Sequence, residues 1–150
     1  MIEAIFMWLG RTSVGTALQQ STAGFAATEA LHILALSVVG GSILVANLTV
    51  LGRVLKTTAP ETVFRQLQPF YRGALVLVAI SGMMLVAAGP YKYYTNPLFP
   101  LKLGLLVVAV TLHAILSRRL NTRSVARRLA IASLVVWTSV VITGRWLGLI

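Results

Sequence analysis

Four long apolar runs, separated by links that hold most of the charge, constrain this chain more than any other feature. A helix of about 20 apolar residues crosses the roughly 30 Å hydrocarbon core of a bilayer with all its backbone hydrogen bonds made internally. The runs cover residues about 25–51, 73–88, 98–116 and 129–147. Four such spans use most of the 150 residues and leave only connections. The expectation is a single all-α domain over 1–150, an integral membrane four-helix bundle. Composition agrees: 57% of residues are hydrophobic and 11% charged, against about 45–50% and about 25% in soluble domains.

Residues 1–21 precede the first span. Here the apolar anchors Ile2, Ile5, Phe6 and Leu9 alternate with Arg11, Thr12, Gln19 and Gln20. That pattern predicts an interfacial helix lying flat, with Trp8 at headgroup level. The opening lacks the basic region of a secretory signal and reads as mature protein.

A net charge of +10 raises the question of nucleic acid, but the cations do not sit on one soluble face. The link after the first span carries Arg53, Lys56, Arg65 and Arg72, and the link after the third carries Arg118, Arg119, Arg123, Arg127 and Arg128. Nine of the thirteen Lys and Arg residues thus share one side. The positive-inside rule then places both basic links in the cytoplasm and both termini on the outer, periplasmic side of a bacterial inner membrane. Tyr91, Lys92, Tyr93 and Tyr94, between Pro90 and Pro97, fall at the outer interface, where tyrosine is favoured. The expected partners are the lipid bilayer and a second copy or a larger membrane complex; nucleic acid is not among them.

The chain has no cysteine, so any metal must be held by His, Met or oxygen. It has two histidines, His32 and His113, both inside predicted spans, where an ionisable group is costly and marks a candidate site. At about 100° per residue, Glu29, His32, Leu36, Gly40, Ile43 and Asn47 form one stripe of the first helix. Gly40 and Gly41 allow close approach by a neighbouring helix or by a flat cofactor. On the third helix Lys102, Leu106, Ala109 and His113 share a face. Two imidazoles on facing helices can hold a b-type haem. At about 1.5 Å per residue, however, His32 lies roughly 10 Å and His113 roughly 20 Å below their helix ends. Met83 or Met84 is the alternative ligand at the depth of His32.

Lys102 and Arg145 are positioned to meet a haem propionate, and Arg145 has Glu29 as a rival partner. Trp8, Trp137 and Trp146 read as interface or lipid-facing aromatics. The spans hold no nucleophile with a base at a recognisable spacing, no paired carboxylates and no phosphate-cradling loop, which argues against catalysis by side chains alone.

Several segments in fixed order resemble one bacterial four-helix membrane family, DUF6644, which is similar to CopD-like copper-resistance domains. They include Trp8-Leu9, Thr16-Ala17-Leu18, Glu29-Ala30-Leu31-His32, Leu51-Gly52, Ser81-Gly82, Asn96-Pro97-Leu98-Phe99, Lys102-Leu103, Ser133-Leu134, Trp137 and Gly144-Arg145. The resemblance covers nearly the whole chain and marks His32, Lys102 and Arg145 as polar positions of the family. His113-Ala114 stands where the family has Asn-Ala, and Asn47 with Thr49 where it often has an acid–arginine pair. The leading expectation is a membrane-bound b-type cytochrome or haem-binding redox subunit that carries electrons. A copper-handling or transport-associated protein of CopD-like type is the alternative, with His32 and Met83 or Met84 as ligands. A cofactor-free subunit, whose polar stripe only joins helices, is the third.

Overall fold

The structure, a computed structural model, describes residues 2–149. It is helical throughout: α1 (Ile2–Gly10), α2 (Ser13–Gln20), α3 (Thr22–Val50), α4 (Pro60–Ala88), α5 (Pro90–Thr95), α6 (Leu98–Arg118) and α7 (Arg123–Leu149). The chain is an all-α membrane protein: α3, α4, α6 and α7 are each long and apolar enough to cross a bilayer. They form two antiparallel hairpins, α3 with α4 and α6 with α7, joined chiefly where α3 meets α7. Both termini lie at one end of the bundle, and the two short basic connections lie at the other.

The helix boundaries follow local chemistry. Ser21 caps α3, its hydroxyl accepting from the Gly24 N–H at 3.0 Å. At the other end Gly52 adopts φ +68°. That left-handed turn, which glycine makes without penalty, lets the Arg53 N–H reach the Leu48 carbonyl at 2.9 Å and the Gly52 N–H reach Thr49 at 3.0 Å. Helix α4 opens with Pro60 in its first turn, where no N–H is missed, and carries Pro69 in its interior.

Two boundaries differ from the sequence reading. The single interfacial helix over 1–21 is instead a pair, α1 and α2, broken at Arg11-Thr12. Thr12 makes the break by capping α2, its hydroxyl accepting from the Gly15 N–H at 3.2 Å. The pair packs on the end of α4 and on α5. Gln19 Nε2 donates to the Gly10 and Ala87 carbonyls, both at 3.0 Å, and so ties α2 to the chain before it and to α4. Gly15 lies so close to the Leu9, Gly10 and Ala87 carbonyls that a Cβ would stand 2.7, 2.9 and 3.1 Å from them.

The second span is also longer than expected, because the charged stretch 60–72 continues α4 rather than forming a link. It is amphipathic. Glu61 and Arg65 point away while Val63 and Phe64 are buried. At 29 residues each, α3 and α4 are about 43 Å long, enough to pass beyond the hydrocarbon core at one or both ends.

Two apolar clusters fill the bundle. The larger joins Ala35, Val39 and Ile43 with Ala74, Val78, Ala109, Trp137 and Val140. The smaller, toward the basic connections, joins Ala46, Phe64, Leu116, Ala126 and Ala130. Trp137 is therefore a core side chain, 7% exposed, and not a lipid-facing one. Its indole fits against Gly40, where a Cβ would meet Nε1 at 2.7 Å. Trp8 and Trp146 are exposed, at 66% and 60%.

Candidate functional site

His32 extends from α3 toward α4, where Ser81 and Gly82 receive it. Its Nδ1 lies 2.8 Å from Ser81 Oγ. Ser81 is buried, and its hydroxyl donates to the Leu77 carbonyl of its own helix at 2.6 Å. The single serine proton is thus committed to Leu77, and the serine oxygen can only accept from His32. That arrangement favours the Nδ1–H form of a neutral imidazole, whose ring also lies against the Val78 carbonyl of α4. Gly82 makes room for the ring, since a Cβ there would come within 3.3 Å of His32 Cε1.

Lys102, in the first turns of α6, is near enough for its ammonium to act electrostatically on the His32 ring. Its stem lies across Gly144 of α7, where a Cβ would meet Cε at 3.2 Å and Nζ at 3.3 Å. The glycine lets a long cationic side chain lie flat between two helices. Arg145 follows on α7 and is exposed. His32, Lys102 and Arg145 therefore occupy the same end of the bundle, the end with the termini, as the sequence reading expects.

At the same end of the bundle, side chains of α1, α5 and the first turn of α6 form an aromatic roof. Phe99 stands edge-on to Phe6 at 5.8 Å and lies 5.4 Å from Tyr93, while Phe6 lies 5.9 Å from Tyr94. Burial, and after it the nearby Glu29 carboxylate, holds the Tyr93 hydroxyl above its usual value of 10.0. Glu29 is exposed and lies within electrostatic reach of Tyr93.

The other sequence candidates lie elsewhere. His113 stacks between Phe64 and Tyr71 of α4, with ring centroids 5.2 and 4.5 Å away. His32 meets α4 at Ser81, ten and seventeen residues further along. At about 1.5 Å per residue the two imidazoles are roughly 15–25 Å apart in depth. Two nitrogens on opposite sides of one iron are roughly 4 Å apart, so His32 and His113 of one chain cannot share it. Met83 is 59% exposed and points away from the site, whereas Met84 is half-buried, one turn beyond Ser81. Gly40 holds the Trp137 indole and so is not open to a cofactor. Among the described residues no three His, Asp or Glu side chains come together.

Sequence reasoning missed Ser81 and Gly82 as the partners of His32 and treated Asn47 only as a stripe member. Asn47 Nδ2 donates to Ser133 Oγ of α7 at 3.0 Å, joining the two hairpins inside the bundle. A signal for Ser81 was present in its small size next to Gly82, which together make a notch on an otherwise bulky apolar helix.

The family model of DUF6644, described as a family of unknown function, matches residues 5–150. The chain belongs to this family. The matched range runs from within α1 to the end of α7 and so covers the roof, His32 and the basic end. No curated protein and no solved structure matches the chain.

Proposed function

We propose that this DUF6644 protein is a membrane-embedded haem b subunit that carries electrons, with His32 as the protein ligand to iron. The observation that carries the reading is the Nδ1 hydrogen bond to a serine whose own proton is given to Leu77. A ligating histidine is held in this way, with one ring N–H anchored and the other nitrogen free and neutral. Lys102 favours haem over a bare copper ion, because a cation next to the imidazole repels a metal ion but attracts the propionates that haem brings with it. A bare ion also draws three or four donors from the protein, whereas haem supplies four nitrogens of its own.

Bound there, the group supplies reversible one-electron chemistry. The chain orients the ligand through Ser81, places the charge of Lys102, and keeps water away with the roof of Phe6, Tyr93 and Phe99. Since His113 lies too deep, Met84 or a residue from another copy of the chain would help His32 to hold the group. The split of cations supports an orientation with the termini outside and the basic connections in the cytoplasm of a bacterial inner membrane.

Absorption spectroscopy of protein made with ample haem tests the reading. A Soret band with sharp reduced α and β bands is expected, lost in His32→Ala and kept in His113→Ala. A wild-type protein without a Soret band sinks the proposal. Copper by elemental analysis would then favour the CopD-like alternative, and no cofactor at all would favour a subunit whose polar groups only join helices.

A further inference from the structure

A second polar constellation lies deeper, between the two apolar clusters and apart from the His32 site. Each span contributes one member: Asn47 from α3, Tyr71 from α4, His113 from α6 and Ser133 from α7. The helix register brings Asn47, His113 and Ser133 level, and the long Tyr71 side chain meets His113 from about one turn away. Lys102 lies against Gly144 in the antiparallel α6–α7 pair, so His113, eleven residues on, is level with Ser133. Ser133 in turn accepts from Asn47 Nδ2, and the His113 ring lies tilted against that of Tyr71. Ile43 and Trp137 close the layer on one side, and Leu116 and Ala130 on the other.

Three polar atoms in this layer have no partner: Asn47 Oδ1, Tyr71 Oη and His113 Nδ1. Asn47 is 0% and Tyr71 8% exposed. Other hydroxyls in the spans return to their own helix, as Thr28, Ser42 and Thr49 do by donating to the carbonyl four residues back. These three atoms cannot do so. Asn47 Oδ1 only accepts, the Tyr71 hydroxyl stands at the far end of its ring, and His113 Nδ1 makes no bond to its own helix. Inside a bilayer no bulk solvent reaches them.

We infer that the layer is an internal hydration site, with one ordered water or a short chain of them held between Asn47 Oδ1, Tyr71 Oη and His113 Nδ1. Water is the ligand whose chemistry fits, because it can donate to the amide oxygen while accepting from the phenol, and buried water typically makes two to four such bonds. The site gives an imidazole and a phenol a shared exchangeable partner in the basic half of the bundle, whether or not the other half holds haem.

Water-edited magic-angle-spinning NMR of the full chain in lipid bilayers tests this. Magnetisation is expected to pass from water to the Tyr71 and His113 rings and not to Val39 or Ile43, which are fully buried and carry no polar atom. Tyr71→Phe, which removes only the hydroxyl, adds a test by sign. Loss of a water-bridged hydroxyl lowers Tm by about 2–4 °C, whereas loss of a dry, unpartnered one leaves Tm unchanged or raises it. Absence of the transfer, or a Tyr71→Phe melt at or above that of the wild type, overturns the inference.

Discussion

Gly15→Ala is a single methyl group added where three helices meet. In an ordinary helix the change stabilises by about 0.5–1 kcal/mol, since alanine loses less conformational freedom than glycine. Here the new Cβ would stand 2.7 Å from the Leu9 carbonyl, 2.9 Å from that of Gly10 and 3.1 Å from that of Ala87. All three are backbone atoms in packed elements and cannot rotate aside, so α2 has to retreat. Overpacking of this kind costs about 1–3 kcal/mol. The retreat also stretches the two Gln19 bonds, both at 3.0 Å, each contributing about 0.5–1.5 kcal/mol. Taking the middle of each range, the net cost is about 3 kcal/mol, or a Tm lower by about 6–12 °C. Thermal unfolding of the detergent-solubilised protein measures it, with trypsin cleavage at Arg11 as a local readout. Gly104→Ala is the control, because nothing lies within 4 Å of a Cβ there, and its Tm should hold or rise. If Gly15→Ala melts with the wild type or above it, the seat of α2 on α4 is wrong.

Ser81→Ala removes the acceptor that fixes the His32 ring; haem retention is expected to drop about 10–100-fold, read by titration of the apo protein, and full retention would remove Ser81 from the site. Gly40→Val drives a side chain into the Trp137 indole and is expected to lower Tm and shift the tryptophan emission to the red; an unshifted spectrum would show that Trp137 packs elsewhere. Raised above 10.0 when folded, the Tyr93 hydroxyl favours the fold below about pH 10, and that stability is lost as pH climbs through the folded value; ultraviolet titration should show Tyr93→Phe removing a tyrosine transition that lies above 10.0. A C-terminal tag is expected to be accessible from outside intact cells, and a cytoplasmic tag would reverse the assignment of the two ends.

Much of this architecture is legible from periodicity alone, because hydrocarbon allows a single-chain span few alternatives to a helix. The four spans emerge as apolar runs, and His32, Lys102 and Arg145 gather at one end as counted from their positions. What escaped the sequence depended on pairing between helices. Arg65, Gln66, Gln68, Pro69 and Arg72 look like a solvated link because charge outweighs periodicity there, yet Val63 and Phe64 give the segment a buried face. Trp137 looks like an interface anchor until Gly40, nearly a hundred residues away, supplies the notch that holds it. The stripe from Glu29 to Asn47 is right at its deep end, where Ile43 and Asn47 are buried. It fails at Glu29, where the helix has passed into the surroundings of α5 and Tyr93. The depth mismatch between the histidines was visible as a count of residues, and the register of α4 makes it decisive.

Pro69 lies inside α4, between the two aromatic residues that flank His113. A proline has no N–H to give to the carbonyl one turn earlier, that of Arg65, and its ring pushes the turn open. Phe64 and Tyr71 therefore stand on opposite sides of the weakest joint in their helix, like two jaws on one hinge. A small bend at Pro69 changes the gap between the jaws without disturbing Ser81, twelve residues further along on a stretch with no second proline. Pro69 thus divides α4 into a part that holds His113 and a part that seats His32.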